Sequence, residues 1–202
     1  MATTASPYGF KPVNLIGGTP YAGSTRQIKI ASGYASNLYN GQIVRIATDG
    51  TIALMVNIGS AADVFLAGTV GVFVGCTYTD PTLKYKLNSQ YWPTGTVASD
   101  AMAYVVDDPN AVFQVQSAGS LVQADLGANV PLSAVQSTTT GSTTTGNSNT
   151  AVSATTAATT LISLRIVDFV NGPFSTVGDA YTDVLVKFNP VAHSYTNPLG
   201  VA

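Results

Sequence analysis

The 202-residue chain is 46% hydrophobic and only 9% charged, and its ten acidic residues are all Asp; an ordinary soluble domain is about 25% charged. Glu and Lys normally cover exposed helix faces, so this composition disfavours long solvent-exposed helices. The formal net charge is -2, with eight scattered Lys and Arg, which leaves no electrostatic footprint for nucleic acid.

The first segment, residues 1–26, contains "SPYGFKPVNLIGGTPYAGS". Its prolines and glycines disfavour regular structure, while Tyr8, Phe10 and Tyr21 are too apolar for a solvated tail. We read it as an N-terminal arm lying along a surface, its own or a neighbour's. It has no positive n-region or apolar h-region of a secretory signal. No apolar run approaches the roughly 18 residues of a membrane helix. The expected setting is a cytoplasm, with no membrane partner.

Residues 27–190 read as a β-rich body. "RQIKIA" alternates, placing Ile28 and Ile30 on one face. "NGQIVRIATDGTIALMV" reads as a hairpin turning at Thr48, Asp49 and Gly50, where the Asp-Gly step tolerates positive φ. "DVFLAGTVGVFVGCTY" is a long apolar strand whose glycines mark bends or bulges at a barrel corner. Cys76, the single cysteine, reads as an apolar filler within it. "TDPT" is a turn, and "LKYKLNSQYWP" is a strand leading into an aromatic loop.

"AYVVDDPNAVFQVQ" places two adjacent carboxylates between two strands. A turn explains all of "DDPN": Asp108 accepts from the backbone ahead, Pro109 fixes φ, and Asn110 tolerates the conformation that closes the turn. Asp107 is then left at a strand end facing water. An acid/base pair would explain only the carboxylates and would need a partner group.

Residues 137–160 form a low-complexity insertion with a tandem "STTTG". Without charge or bulky apolar side chains, such a segment cannot order itself by burial. It reads as a flexible exposed loop or arm, with a Thr-rich strand pair ordered against a partner as the alternative. Strands return in "TLISLRIVDFV" and "AYTDVLVKF", joined by the loop "NGPFSTVGD". Residues 191–202 form a second, C-terminal arm. The fold class is all-β: a single β-barrel or β-sandwich body with extended N- and C-terminal arms and a Thr/Ser-rich insertion.

Candidate chemistry is thin. His193 is the only histidine, which disfavours a His-based triad or a multi-His metal site. No phosphate loop or nucleophile elbow occurs. Most Asp residues are explained by turns. Asp168, inside an apolar strand, would pair with Arg165 or point outward, while Asp179 and Asp183 suit turn and solvent-face positions. Tyr85 between Lys84 and Lys86, followed by Tyr91 and Trp92, reads as a packed hairpin rather than a stacking platform. No enzyme activity, catalytic residue, metal or cofactor is expected.

Taken together, "SPYGFKPVN", "IASGYASNLYNGQIVRIATDG", "AYVVDDPNAVFQVQ", "LRIVDFVNGP" and "GDAYTDVLVKFNPVAHSY" resemble the head decoration, or cement, proteins of tailed bacteriophages. The resemblance runs along most of the chain except the Thr-rich insert. It implies a virion structural protein made in the bacterial host cytoplasm and placed on the outer surface of the capsid. There it would bridge major capsid subunits and pair with itself as a homotrimer or homodimer. By this analogy the docking residues are Tyr8, Phe10, Tyr21, His193 and Tyr195. The alternatives are a tail or fibre-base protein, and a glycan-binding β-module with Tyr91 and Trp92 as the sugar platform.

Overall fold

A computed structural model describes residues 4–56, 65, 67–158, 162–198 and 200. Outside them fall the ends of both arms (1–3, 199, 201–202), residues 57–64 and 66, with Asp63, Val64 and Leu66 of the long apolar run among them, 159–160 at the close of the Thr-rich insert, and Leu161 of the strand stretch that follows.

The body is all-β and built from antiparallel sheets. One sheet runs β2(Arg26–Lys29), β9(Met102–Val106), β6(Thr69–Thr79), β4(Gln42–Ile46) and β5(Ile52–Leu54). Its two edges meet through a parallel bridge between Ile30 and Ile52, which closes it into a five-stranded barrel. Inside lie Ile28, Ile30, Val44, Ile52, Phe73, Cys76, Ala103 and Val105. β7(Lys86–Ser89) extends β6, and the short pair β3(Leu38–Tyr39) and β8(Tyr91–Trp92) adds Leu38 and Trp92 to this interior.

A second sheet runs β1(Lys11–Leu15), β10(Ala111–Gln116), β13(Asp183–Phe188), β12(Leu164–Phe169) and β11(Asn129–Val130). Its inner face, with Phe113, Val115, Ile166, Val184, Val186 and Phe188, packs on the outside of the barrel at Ile43, Val72 and Val106. Adjacent residues of the shared strands therefore enter different cores: Ile43 and Val44, Val72 and Phe73, Val106 and Val105. Burial on both faces is why "VGVFVGC" is apolar without alternation.

The glycines of that run act as expected. The register of β6 shifts beside Gly71 against β4, and beside Gly75 against β9. Gly71 has φ of 154° and no room for a side chain, because a Cβ would drive into the Val106 carbonyl oxygen. The hairpin between β4 and β5 also turns where its sequence says. Asp49 Oδ1 accepts from the Thr51 N–H (3.0 Å) and hydroxyl (2.7 Å), and Gly50 has φ of 75°.

Candidate functional site

The two carboxylates of "DDPN" separate. Asp108 builds the turn: its Oδ1 accepts from the Asn110 N–H at 2.7 Å, and its carbonyl accepts from the Ala111 N–H at 3.0 Å. Asp107 is not left facing water. Its Oδ2 accepts from the Tyr195 hydroxyl at 2.9 Å and from Arg26 Nη1 at 3.4 Å, and Arg26 also donates to the Tyr195 oxygen. The Arg26 side chain is more than half exposed, so the ion pair stabilises little by itself. Its consequence is positional, because it ties the C-terminal segment to the start of the barrel.

The described residues of both terminal segments lie along the chain's own surface rather than reaching away from it. β1 pairs with β10, and Pro12 is tolerated because β1 is the last strand, beside a register shift between Pro12 and Asn14. The outer edge of β1 is then covered by its own continuation: Leu15 N–H donates to Thr19 O (2.8 Å) and Tyr21 N–H to Val13 O (3.3 Å). Phe10 is fully buried, edge-on to Phe113 with ring centroids 6.4 Å apart. Tyr8 is half-buried and holds the Lys11 ammonium 4.1 Å from its ring centroid. Burial, then the nearby Asp183 charge, pushes the Tyr8 phenol well above its usual value. Tyr21 packs against the edge of the core and donates to Ser24 O at 2.6 Å.

At the other end, His193 is buried, with its ring edge-on to Phe188 (5.7 Å) and Tyr195 (5.2 Å). Its Nδ1 accepts from the Tyr195 N–H at 3.2 Å. Burial holds the imidazole below its ordinary range, against the opposing pull of Asp107. Of the five residues expected to dock a partner, Phe10 and His193 are thus internal packing groups, while Tyr195 is exposed but already bonded. Docking by Phe10 or His193 would first require opening the core.

The Thr-rich insert departs most from its expectation. Its start is fastened to the body by two buried glutamines, and backbone bridges hold it further on, Asn147 to Asn40, Val152 to Ser117 and Leu132, and Ala157 to Asn129. Gln136 Oε1 accepts from Ile43 N–H (2.9 Å), and its Nε2 donates to Ile43 O (3.1 Å) and Met55 O (2.9 Å). Gln42 Nε2 donates to the Thr140 hydroxyl at 2.7 Å and to Ser137 O at 3.3 Å. Gly141 lies against the face of Tyr39 so closely that no side chain would fit. Ser148, Thr150 and Val152 are buried, with Ser148 and Thr150 sharing a hydroxyl–hydroxyl bond of 2.7 Å. Order comes from satisfied hydroxyls and backbone groups rather than from apolar area.

The remaining candidates are structural. Trp92 is fully buried and edge-on to Tyr78 at 5.2 Å, and Tyr91 stacks on Tyr39 at 6.0 Å, so the pair offers no open sugar platform. Burial pushes the Cys76 thiol up to about 12. Asp168 is exposed and points outward, its Oδ1 accepting from the Phe169 N–H at 2.8 Å, while Arg165 turns to Asn129 instead. Asp179 caps a turn by accepting from the Thr176 N–H at 3.0 Å, and half-buried Asp183 accepts from Gln114 Nε2 at 3.3 Å. Among the described residues, no group of three or more His, Cys or Asp side chains is placed to hold a metal ion. No helix among them is long and apolar enough to cross a membrane.

What stands out instead is apolar side chains presented on rigid turns. In residues 80–85, Asp80 Oδ1 accepts from the Thr82 and Leu83 N–H groups at 2.7 Å each. Lys84 N–H reaches Asp80 O at 2.9 Å, and Lys84 takes a φ of 60°. This turn holds Leu83 and Tyr85 outward, both more than half exposed. Phe174 is a second such residue, on the loop between β12 and β13. The sequence puts Phe174 in a loop but Leu83 and Tyr85 in a packed strand; β7 begins only at Lys86, and the turn started by Asp80 runs on through Tyr85. A bulky apolar residue inside a polar turn was the available signal. Comparison with known proteins yields no matching family model, no matching curated protein and no matching solved structure.

Proposed function

We propose that this chain is a virion structural protein, a capsid decoration or cement protein that binds the outer surface of a phage head and bridges major capsid subunits. The observation that carries the reading is the turn at residues 80–85, where hydrogen bonds fix Leu83 and Tyr85 outward on a body with little surface charge. Apolar side chains held rigid in this way act as anchors, because little conformational entropy is lost when they are buried. The motif resemblance to decoration proteins supports the same reading, as does low net charge, which spares crowded copies mutual repulsion.

In this account the barrel and its covering sheet are a stiff spacer and the turns make the contacts. The partner is the major capsid protein, with a second copy of the chain beside it. Capsid docking moves from the termini to Leu83 and Tyr85. Co-sedimentation with expanded capsids lacking the protein tests this. The intact chain should pellet with capsids, and the Leu83→Ser, Tyr85→Ser double variant should lose most of that binding while melting normally. Unchanged binding by the double variant would remove the turn from the interface. No binding by the intact chain would remove the capsid reading.

A further inference from the structure

Phe174 is 85% exposed, the most exposed large apolar side chain among the described residues. It is held firmly. Gly172 and Ser175 exchange backbone hydrogen bonds of 2.8 and 3.3 Å, which leaves Pro173 and Phe174 at the tip of a two-residue turn. Ser175 is buried, and its Oγ accepts from the Asp183 N–H at 2.8 Å. Gly178 N–H donates to Leu121 O at 2.9 Å, fastening the far side of the loop.

At the opposite end of the same hairpin, where β12 begins and β13 finishes, lies a cup of about 170 Å³ lined by Asn129, Arg165, Asn189, Pro190 and Val191. Its walls are also fixed. Arg165 Nε (3.1 Å) and Asn189 Nδ2 (3.0 Å) both donate to Asn129 Oδ1, and Asn197 Nδ2 donates to Val191 O at 2.6 Å. A cavity of about 150 Å³ is enough for a benzene ring. A guanidinium face beside proline and valine side chains is a favourable lining for an aromatic group.

Charge runs along the hairpin in the complementary sense. Arg165 and Lys187 face each other across β12 and β13 at the cup end, an arrangement that costs energy when left unpaired. Neither makes an ion pair among the described residues. The acids Asp168 and Asp179 lie at the Phe174 end. Six-residue strands span about 20 Å, so a chain cannot place its own Phe174 in its own cup.

We propose that Phe174 of one copy docks in the cup formed by Pro190, Val191 and Arg165 of a second copy, acidic end against basic end. Two closed arrangements satisfy every copy: a twofold pair with antiparallel hairpins, and a head-to-tail ring. The inference rests on the self-association within the proposed function but not on capsid docking, so the purified chain without capsids tests it alone.

Sedimentation velocity over a concentration series is the experiment. The intact chain should sediment as a closed oligomer. Phe174→Ser and Val191→Asp should each return it to monomer while keeping a cooperative melt, with a Tm matching that of the parent diluted until it dissociates, and Val97→Asp, at an exposed site elsewhere, should leave the oligomer intact. A chain that stays monomeric overturns the contact, and if it still coats capsids the decoration reading survives without it. An oligomer that persists in the Phe174 or Val191 variant also overturns it, as does equal loss in the Val97 control.

Discussion

Replacing Phe10 with alanine removes a ring that the fold has built around. Phe10 is fully buried between the barrel and the covering sheet, edge-on to Phe113, and its N–H donates to Gly41 O at 3.0 Å. Gly9 and Gly41 press against each other so closely that a Cβ on Gly9 would sit 2.9 Å from the Gly41 oxygen. The backbone there is already at contact and cannot move in to fill a void. A Phe→Ala change in such a site costs about 3–5 kcal/mol. At about 2–4 °C per kcal/mol for a chain of this size, Tm should fall by roughly 6–20 °C. Differential scanning calorimetry reads this directly, and a urea titration should show the midpoint move with little change in slope. A Tm within about 2 °C of the parent, combined with lost partner binding, would refute the internal packing of this segment. Residues 1–26 would then be a true docking arm.

Other substitutions probe other joints. Gln136→Ala should strand the Ile43 N–H and the Met55 carbonyl, while the Met55 N–H still bonds the Ile43 carbonyl at 3.1 Å; this costs about 1–3 kcal/mol for a buried group left unpaired, and should raise amide exchange across residues 137–158. Because burial holds His193 below its ordinary 6.5, the unfolded chain takes up this proton more readily than the folded one. Stability is then full above that value and falls as pH drops through it, by at most about 1.4 kcal/mol per pH unit. His193→Gln should flatten that acid limb in thermal melts, and an unchanged limb would assign it to other groups. The buried Cys76 thiol, raised to about 12, should resist alkylation in native buffer and react fully in denaturant.

The strands and turns were legible wherever the information was local. Asp49, Gly50, Asp108 and Pro109 each carry their conformation in their own chemistry, and the turns form where they stand. The continuous apolar run of β6 announced burial on both faces, and its glycines announced the bulges. What stayed hidden depends on partners far along the chain. Pro12 and the glycines near it suggested irregular structure, yet β1 needs hydrogen bonds only on its β10 side and the returning chain supplies the other. The Thr-rich insert reads as disordered because a composition window holds only its own side chains. The hydrogen bonds that order it come from Gln42, about a hundred residues earlier, and from Gln136 beside it. The same limit applies to the surface. Phe174, Arg165 and Val191 are unremarkable in sequence and become an anchor and a cup only when the hairpin sets them at its two ends.

The most direct test of the account is to add the purified protein to expanded phage capsids that lack it and count bound copies by cryo-electron microscopy. The account predicts a regular lattice of many copies on the outer surface, with the turn at residues 80–85 against the shell and the Phe174 loop against a neighbouring copy. Bare capsids, or a few copies gathered at one vertex, would contradict it.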